Sequence, residues 1–280
     1  MAKSVKKIIP NILVALMCLL YLFPIYLILT NSFKSRAEMY KNMVALPGKF
    51  SFKYYSSAVG KMNFATSLFN SVVITIVSIT IIVVLSAMTA WMFVRSANKL
   101  SIALFSILVA TMLIPFQTIM MPLMQEMNKI GKVTGLPMTD SIGGLIFMYI
   151  GFGAGMGVFL YHGFISSIPV SLEEAAIIDG CSVWTLFWKI VFPILKPTTM
   201  TLIILDVIWI WNDYLLPSLT LKSTANRTIP ISTAKFFGQY TISWNEAMAA
   251  LVITIIPVAI FYLAAQKYIV KGVAAGAVKG

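Results

Sequence analysis

Charge is scarce in this chain. Only 11% of its 280 residues are Asp, Glu, Lys or Arg, against about 25% in soluble domains. Acids are the rarest, nine against 21 Lys and Arg. With 59% hydrophobic residues, this composition excludes a soluble fold and turns the question to how many segments cross lipid. Histidine occurs once, as His162, so no multi-histidine metal site exists, and an interfacial or packing role suits it. The two cysteines, Cys18 and Cys181, make neither a disulfide framework nor a metal spacing. No G-x-x-x-x-G-K-[ST] occurs; the Gly-Lys pairs at 48, 60 and 131 run on into Phe50, Met62 and Val133. This chain therefore hydrolyses no nucleotide by a P-loop. Paired catalytic acids and metal motifs are also lacking, which argues against an intramembrane enzyme. The net charge of +12 lies scattered among loops. With no basic stripe or stacking platform, it reads as membrane-flanking charge rather than a nucleic-acid surface.

Long uncharged runs are what is there. A spanning helix needs about 20 mostly apolar residues, and six intervals qualify, at about 8–30, 69–94, 100–125, 143–165, 198–217 and 246–266. They are read as one transmembrane domain covering 1–280. The first follows Lys3, Lys6 and Lys7, but it is too long for a signal-peptide core and ends without a small-residue cleavage site, so it reads as a retained span. Residues 31–67 form a long polar, basic loop. Pro115 and Pro122 fall inside the third interval. Gly151, Gly153, Gly155 and Gly157 in the fourth predict close helix packing. Six spans put both termini on one side. That side holds ten cations and the other eleven, so the positive-inside count leaves orientation open, with a slight lean to an inside N-terminus. No internal repeat suggests an inverted-repeat transporter.

One stretch is too polar for its surroundings, SLEEAAIIDGCSVWTLFWKIVFPILKP at 171–197. Glu173, Glu174 and Asp179 lie within seven residues there. Ser171 with Glu174 predicts a capping box, Gly180 a helix stop, and Ser182 the cap of a second short helix ending before Pro193. The result is a helix–turn–helix at the membrane surface. Ala175 and Ala176 would let a partner approach closely. Glu174 would meet a basic group on it. Ile177, Trp184 and Phe187 would hold the loop to its own spans.

Asp206 is the one acid well inside a span. An intramembrane carboxylate marks either a functional site or a structural hydrogen bond to a neighbouring helix, and both readings stand. Nearby, Trp209, Trp211, Asn212, Asp213 and Tyr214 cluster at 208–217. Rings beside amides and carboxylates suit sugars. An interfacial aromatic belt accounts for the set as a whole, leaving a pathway role for one or two members, such as Trp209 and Asn212.

The polar stretch also carries a resemblance. Glu174-Ala175-Ala176, Gly180, Ile190 and Pro193 match E-A-A-x-x-x-G-x₉-I-x-L-P, with Phe192 at the Leu position. Asp179 fits the fuller form E-A-A-x-x-D-G-A, where Cys181 replaces the last Ala. This resembles the cytoplasmic loop signature of importer permeases of the ATP-binding cassette (ABC) superfamily. Ser167-Ile168-Pro169, WNDYLLP and the ending AGAVKG look like carbohydrate importers of the maltose-permease type, the second six-helix permease of the pair. The resemblance implies an all-α, type I ABC importer permease fold with six transmembrane helices and a cytoplasmic coupling loop at 171–190. It implies a bacterial-type inner membrane and both termini inside. The implied partners are a second permease, a cytoplasmic ATPase dimer that holds ATP and magnesium, and an extracytoplasmic sugar-binding protein. This chain would bind no cofactor and no metal of its own. ATP-driven closure of the ATPase dimer would move the loop and switch the permease pair. The tail residues Ala277, Val278 and Lys279 would reach towards the ATPases. The alternatives are another solute, such as glycerol phosphate or a sugar acid, or a stand-alone proton-coupled carrier using Asp206.

Overall fold

The structure, a computed structural model, describes residues 2–238 and 242–277, with side chains for 10–238 and 242–267. In order come α1 (Ala2–Asn31), α2 (Arg36–Lys41), α3 (Lys53–Met62), α4 (Phe64–Ser96), α5 (Lys99–Thr111), α6 (Phe116–Thr134) and α7 (Ile142–Ile165). Then follow α8 (Ser171–Ile178), α9 (Val183–Leu186), a π-turn (Phe187–Val191), α10 (Phe192–Ile194), α11 (Lys196–Asn212), α12 (Leu215–Thr220), α13 (Ile229–Ala234) and α14 (Trp244–Ala277). Among the described residues the β-structure is one isolated bridge, Phe237 to Ile242. Among the described residues four helices are long and apolar enough to cross a membrane, and up to six spans result if each of two bent pairs counts as one.

The bends fall at prolines. In the interval 100–125, α5 and α6 meet at 106°. Pro115, extended at φ −61° and ψ 130°, stands at the start of α6. It supplies no N–H for a continuous ladder, and the residue before it avoids helical geometry. Pro122 sits inside α6 without breaking it.

The chain divides into two compact units. The first is Met1–Ala65 with Ile229–Ala259. In it α1 stays unburied along its apolar window, as suits a lipid-facing or subunit-facing helix. The loop expected at 31–67 contains two helices. Ser35 and Glu38 form a capping box at α2. Against α3, Ala58 and Met62 pack on Phe236, Ala247, Ala249 and Ala250. Lys61 and Ser57 both donate to Glu246, at 2.7 and 2.6 Å.

The second unit is Thr66–Thr228 with Ile260–Gly280. The glycines of α7 let helices close in. A Cβ at Gly153 would lie 2.5 Å from Ile82 of α4, one at Gly157 would strike Ser86, and one at Gly155 would sit 3.1 Å from the Leu108 carbonyl of α5. A Cβ at Gly151 would meet no atom of the described residues within 4 Å. Asp140, at φ +53°, ties the loop after α12 to the start of α7. Its N–H donates to the Thr220 carbonyl, and its carboxylate accepts from the N–H groups of Lys222 and Ser223, each at 2.8 Å.

Candidate functional site

The helix–turn–helix forms, with its two faces differently disposed from the sequence expectation. Gly180 adopts φ +82°, a left-handed turn that costs glycine no Cβ clash. Its N–H donates to Ile177 and that of Cys181 to Ala176, closing α8. Ser182 caps α9 by accepting from the Thr185 N–H at 3.3 Å. Ser171 does not cap α8. Val170 precedes it already in helical geometry, so no chain reversal aims the Ser171 hydroxyl at the first amides, and no side-chain cap forms. Pro193 does not end the second helix either. The ladder widens into the π-turn, where the Phe192 N–H reaches Phe187, and Pro193 falls in the first turn of α10. Proline cannot donate to residue 189, and the widened turn absorbs that loss.

The inner face of this motif is Glu173, Ala176, Leu186 and Phe187, all buried. Ala176 therefore serves its own chain rather than a partner's approach, and only Ala175 of the pair is exposed. Ile177 and Trp184 are 57% and 64% exposed, so they do not hold the loop to the spans; of the three expected anchors only Phe187 does. Glu174 and Asp179 face out, as do Ile178 and Val183. Ile190 is partly buried and Pro193 exposed.

What holds the inner face is α4, through residues the sequence reading passed over. Glu173 is 5% exposed. Its Oε1 accepts from Arg95 Nη2 at 2.6 Å and Nε at 2.9 Å, and its Oε2 from Trp91 Nε1 at 3.0 Å. Arg95 Nη2 also donates to the Ile168 carbonyl at 3.3 Å. The Trp91 ring lies 5.4 Å from that of Phe187. The available signal was the spacing. Trp91 and Arg95 are one turn apart at the end of α4, and Glu173 and Ala176 share a face of α8.

The expected pathway residues separate. Asp206 is buried at 3% exposure, and its Oδ2 has no hydrogen-bond partner among the described residues. Trp209 and Asn212 belong to the exposed stripe of α11 with Leu205 and Ile208. Asn212 donates to its own helix at the Ile208 carbonyl, 2.7 Å away. Trp209 stands edge-on to Tyr149. Asp213, just past α11, accepts from the Tyr149 hydroxyl at 2.9 Å and from the Leu215 N–H. His162 stacks on Phe105 at 4.0 Å. Ala277 ends α14, but its side chain, and all of Val278 and Lys279, lie outside the described residues.

Known proteins share both chain and fold. Residues 82–275 match the family described as binding-protein-dependent transport system inner membrane component. The probable starch degradation products transport system permease protein AmyC of Thermoanaerobacterium thermosulfurigenes is 45% identical, over 98% of each chain. The melibiose/raffinose/stachyose import permease protein MelC of Bacillus subtilis is 34% identical, over 100% of this chain and 99% of that one. A bacterial ABC transporter involved in the import of the acidic polysaccharide alginate superposes with a TM-score of 0.83 at 23% identity, covering 95% of this chain and 97% of its own. That likeness shows the fold, a type I ABC importer permease. With a family match that spans most of the chain and contains the whole motif, this protein belongs to the binding-protein-dependent transport system inner membrane components, and it is a multi-pass permease subunit rather than an enzyme.

Proposed function

We propose that this chain is one of the two permeases of an ATP-driven importer of sugars or oligosaccharides, with both termini in the cytoplasm. Its partners are a second permease, an ATPase dimer carrying ATP and magnesium, and an extracytoplasmic binding protein. The names of the relatives, which import starch degradation products or melibiose, raffinose and stachyose, support carbohydrate as the cargo.

The observation that carries the reading is the two-sidedness of α8 and α9. A surface helix with no protein partner turns its apolar side to lipid or to its own core. Here the core-facing side is already filled, yet Ile178 is 84% exposed next to Glu174 and Asp179. A mixed apolar and acidic face on a folded platform suits a protein groove with a basic rim. Glu174, Ala175, Asp179 and Gly180 set that face, while Ala176, Ile190 and Pro193 shape its support. Trp209 and Asn212 on α11 are available to the pathway or to the second permease. Asp206, buried within its own unit, acts on that pathway indirectly. The tail at 277–279 contacts the ATPases.

The test is a pull-down and an uptake assay on the whole importer in proteoliposomes. Glu174→Lys with Gly180→Val is expected to release the ATPase and abolish maltotriose and raffinose uptake. Full ATPase co-purification with wild-type uptake of either sugar would reject the docking face. Uptake of neither sugar by the wild-type complex would reject these cargoes.

A further inference from the structure

The end of α4 is tied to the coupling loop by both hydrogen bonds and ring packing. Three successive pieces of residues 168–192 converge on two side chains. The Ile168 carbonyl, before α8, accepts from Arg95. Glu173, in α8, accepts from both Arg95 and Trp91. Phe187, at the start of the π-turn, packs on the Trp91 ring and passes the contact on to Trp188 and Phe192, at 5.0 and 5.9 Å.

The chemistry of this junction is that of a rigid joint. The Glu173 carboxylate takes three N–H donors, two of them from one guanidinium. Both guanidinium donors converge on Oε1 while the indole N–H takes Oε2, so each carboxylate oxygen is held by a separate side chain, and at 5% exposure for Glu173 the ion pair is weakly screened. Trp91 adds direction, because its indole N–H and its ring face engage different halves of the loop. Its neighbour Glu174 has the same charge and the opposite placement, outward and unpaired in the hydrogen bonds described. One glutamate is thus committed inward and the next is left for a partner.

We propose that Trp91, Arg95 and Glu173 form a strut that makes the coupling loop move as one body with α4, so that displacement of the docked face is delivered to a spanning helix. They are positioning residues, and the proposal deepens the docking reading above and rests on it. A loop joined to the spans only by backbone at its ends would bend under load. A loop pinned at three points to one helical turn transfers load to that helix.

The experiment uses the reconstituted importer, with maltotriose as cargo, and reads three quantities: co-purified ATPase, ATP hydrolysed and maltotriose moved. In Glu173→Gln and Arg95→Gln the ATPase is expected to stay bound, while maltotriose moved per ATP falls about tenfold, within the usual range of coupling between sites. The exchanged pair Arg95→Glu with Glu173→Arg, and the conservative Glu173→Asp, are expected to recover part of that ratio, which an unspecific packing defect would not do. Trp91→Phe keeps an aromatic ring beside Phe187 while removing the indole N–H and the second ring of the bicycle, so it decides the matter if the charge variants fail to reach the membrane; a smaller fall in the ratio is expected. An unchanged ratio in a fully assembled Glu173→Gln or Trp91→Phe complex would overturn the strut. So would dissociation of the ATPase by Glu173→Gln, since the docking face would then depend on that side chain for its shape alone. Failure of the docking reading is seen separately, as Glu174→Lys with Gly180→Val retaining the ATPase and wild-type uptake.

Discussion

Two polar, aromatic-rich stretches adjoin the apolar spans, the coupling loop at 171–190 and the end of α11 at 205–217, and they use their polar groups differently. In the loop one acid, Glu173, is consumed inside, and Glu174 and Asp179 remain outside beside Ile178 and Trp184. At the end of α11 Asp213 is consumed by Tyr149 and the Leu215 N–H, and Asp206 is buried, leaving an exposed stripe of Leu205, Ile208, Trp209 and one self-satisfied amide. The first surface suits a folded protein with charge on it. The second suits lipid, a second permease or the flat face of a sugar. Magnitudes support the division. Inverting a 1:99 conformational equilibrium takes about 5.5 kcal/mol, and an exposed ion pair supplies about 0–1 kcal/mol. The outer acids alone are too weak to drive switching; the docked face as a whole, held on a stiff support, is what can.

The largest effect expected from breaking this comparison is at Arg95. Arg95→Ala leaves Glu173 buried without its cation and should destabilise the chain by about 3–5 kcal/mol, whereas Glu174→Ala should change it by about 0–1 kcal/mol. Thermal unfolding of the detergent-solubilised subunit reads both, and equal shifts would erase the distinction between faces. Next come the two aspartates of α11 and its end. Asp213→Ala strands the Tyr149 hydroxyl and should cost about 1–3 kcal/mol. Asp206→Ala removes a buried carboxylate oxygen that has no hydrogen-bond partner among the described residues, so it should impair uptake more than assembly; wild-type uptake kinetics would sink that expectation. Of intermediate size, Gly180→Ala should cost about 1–2 kcal/mol, because φ +82° crowds a Cβ. The smallest contrast is between two serines. Ser182→Ala should cost about 1 kcal/mol as a lost cap, and Ser171→Ala should leave the melting temperature in place, since no cap is formed there.

Acid should sharpen the contrast between a structural and a docking carboxylate. The Ser223 and Lys222 N–H groups hold the Asp140 carboxyl below the usual carboxylate range. Its folded pKa being depressed, its contribution is present above about pH 3.9, the unfolded value, and is lost as pH falls through the folded one. Asp140→Asn should therefore remove part of the acid sensitivity of unfolding below about pH 4, measured as the pH dependence of the melting temperature.

Much of the fold was legible because lipid imposes one requirement on every span. Runs without charge mark the helices, and the glycines of α7 announce contacts that Gly153 and Gly157 make with Ile82 and Ser86. The site was legible in type rather than in direction. Glu173 and Glu174 are identical in composition, and their separate fates depend on where α4 ends. Pro115 was visible, but whether it kinks or breaks a helix depends on what satisfies the freed carbonyls, which is a tertiary matter. Capping by Ser182 and its absence at Ser171 turn on the backbone angle of entry, which Val170 sets and the residue type alone does not.

By itself, then, the sequence determined that this is a helical membrane chain, that residues 171–197 are its polar signature, and that Gly180 must turn there, because hydrophobic run length and backbone sterics act locally. The tertiary structure alone decided which glutamate faces in, that Trp91 and Arg95 receive it, and that Asp206 parts company with Trp209 and Asn212. Those are outcomes of helix rotation and of contacts between residues some 80 positions apart, as from Arg95 to Glu173 at |i−j| = 78, and no local pattern of residue types carries them.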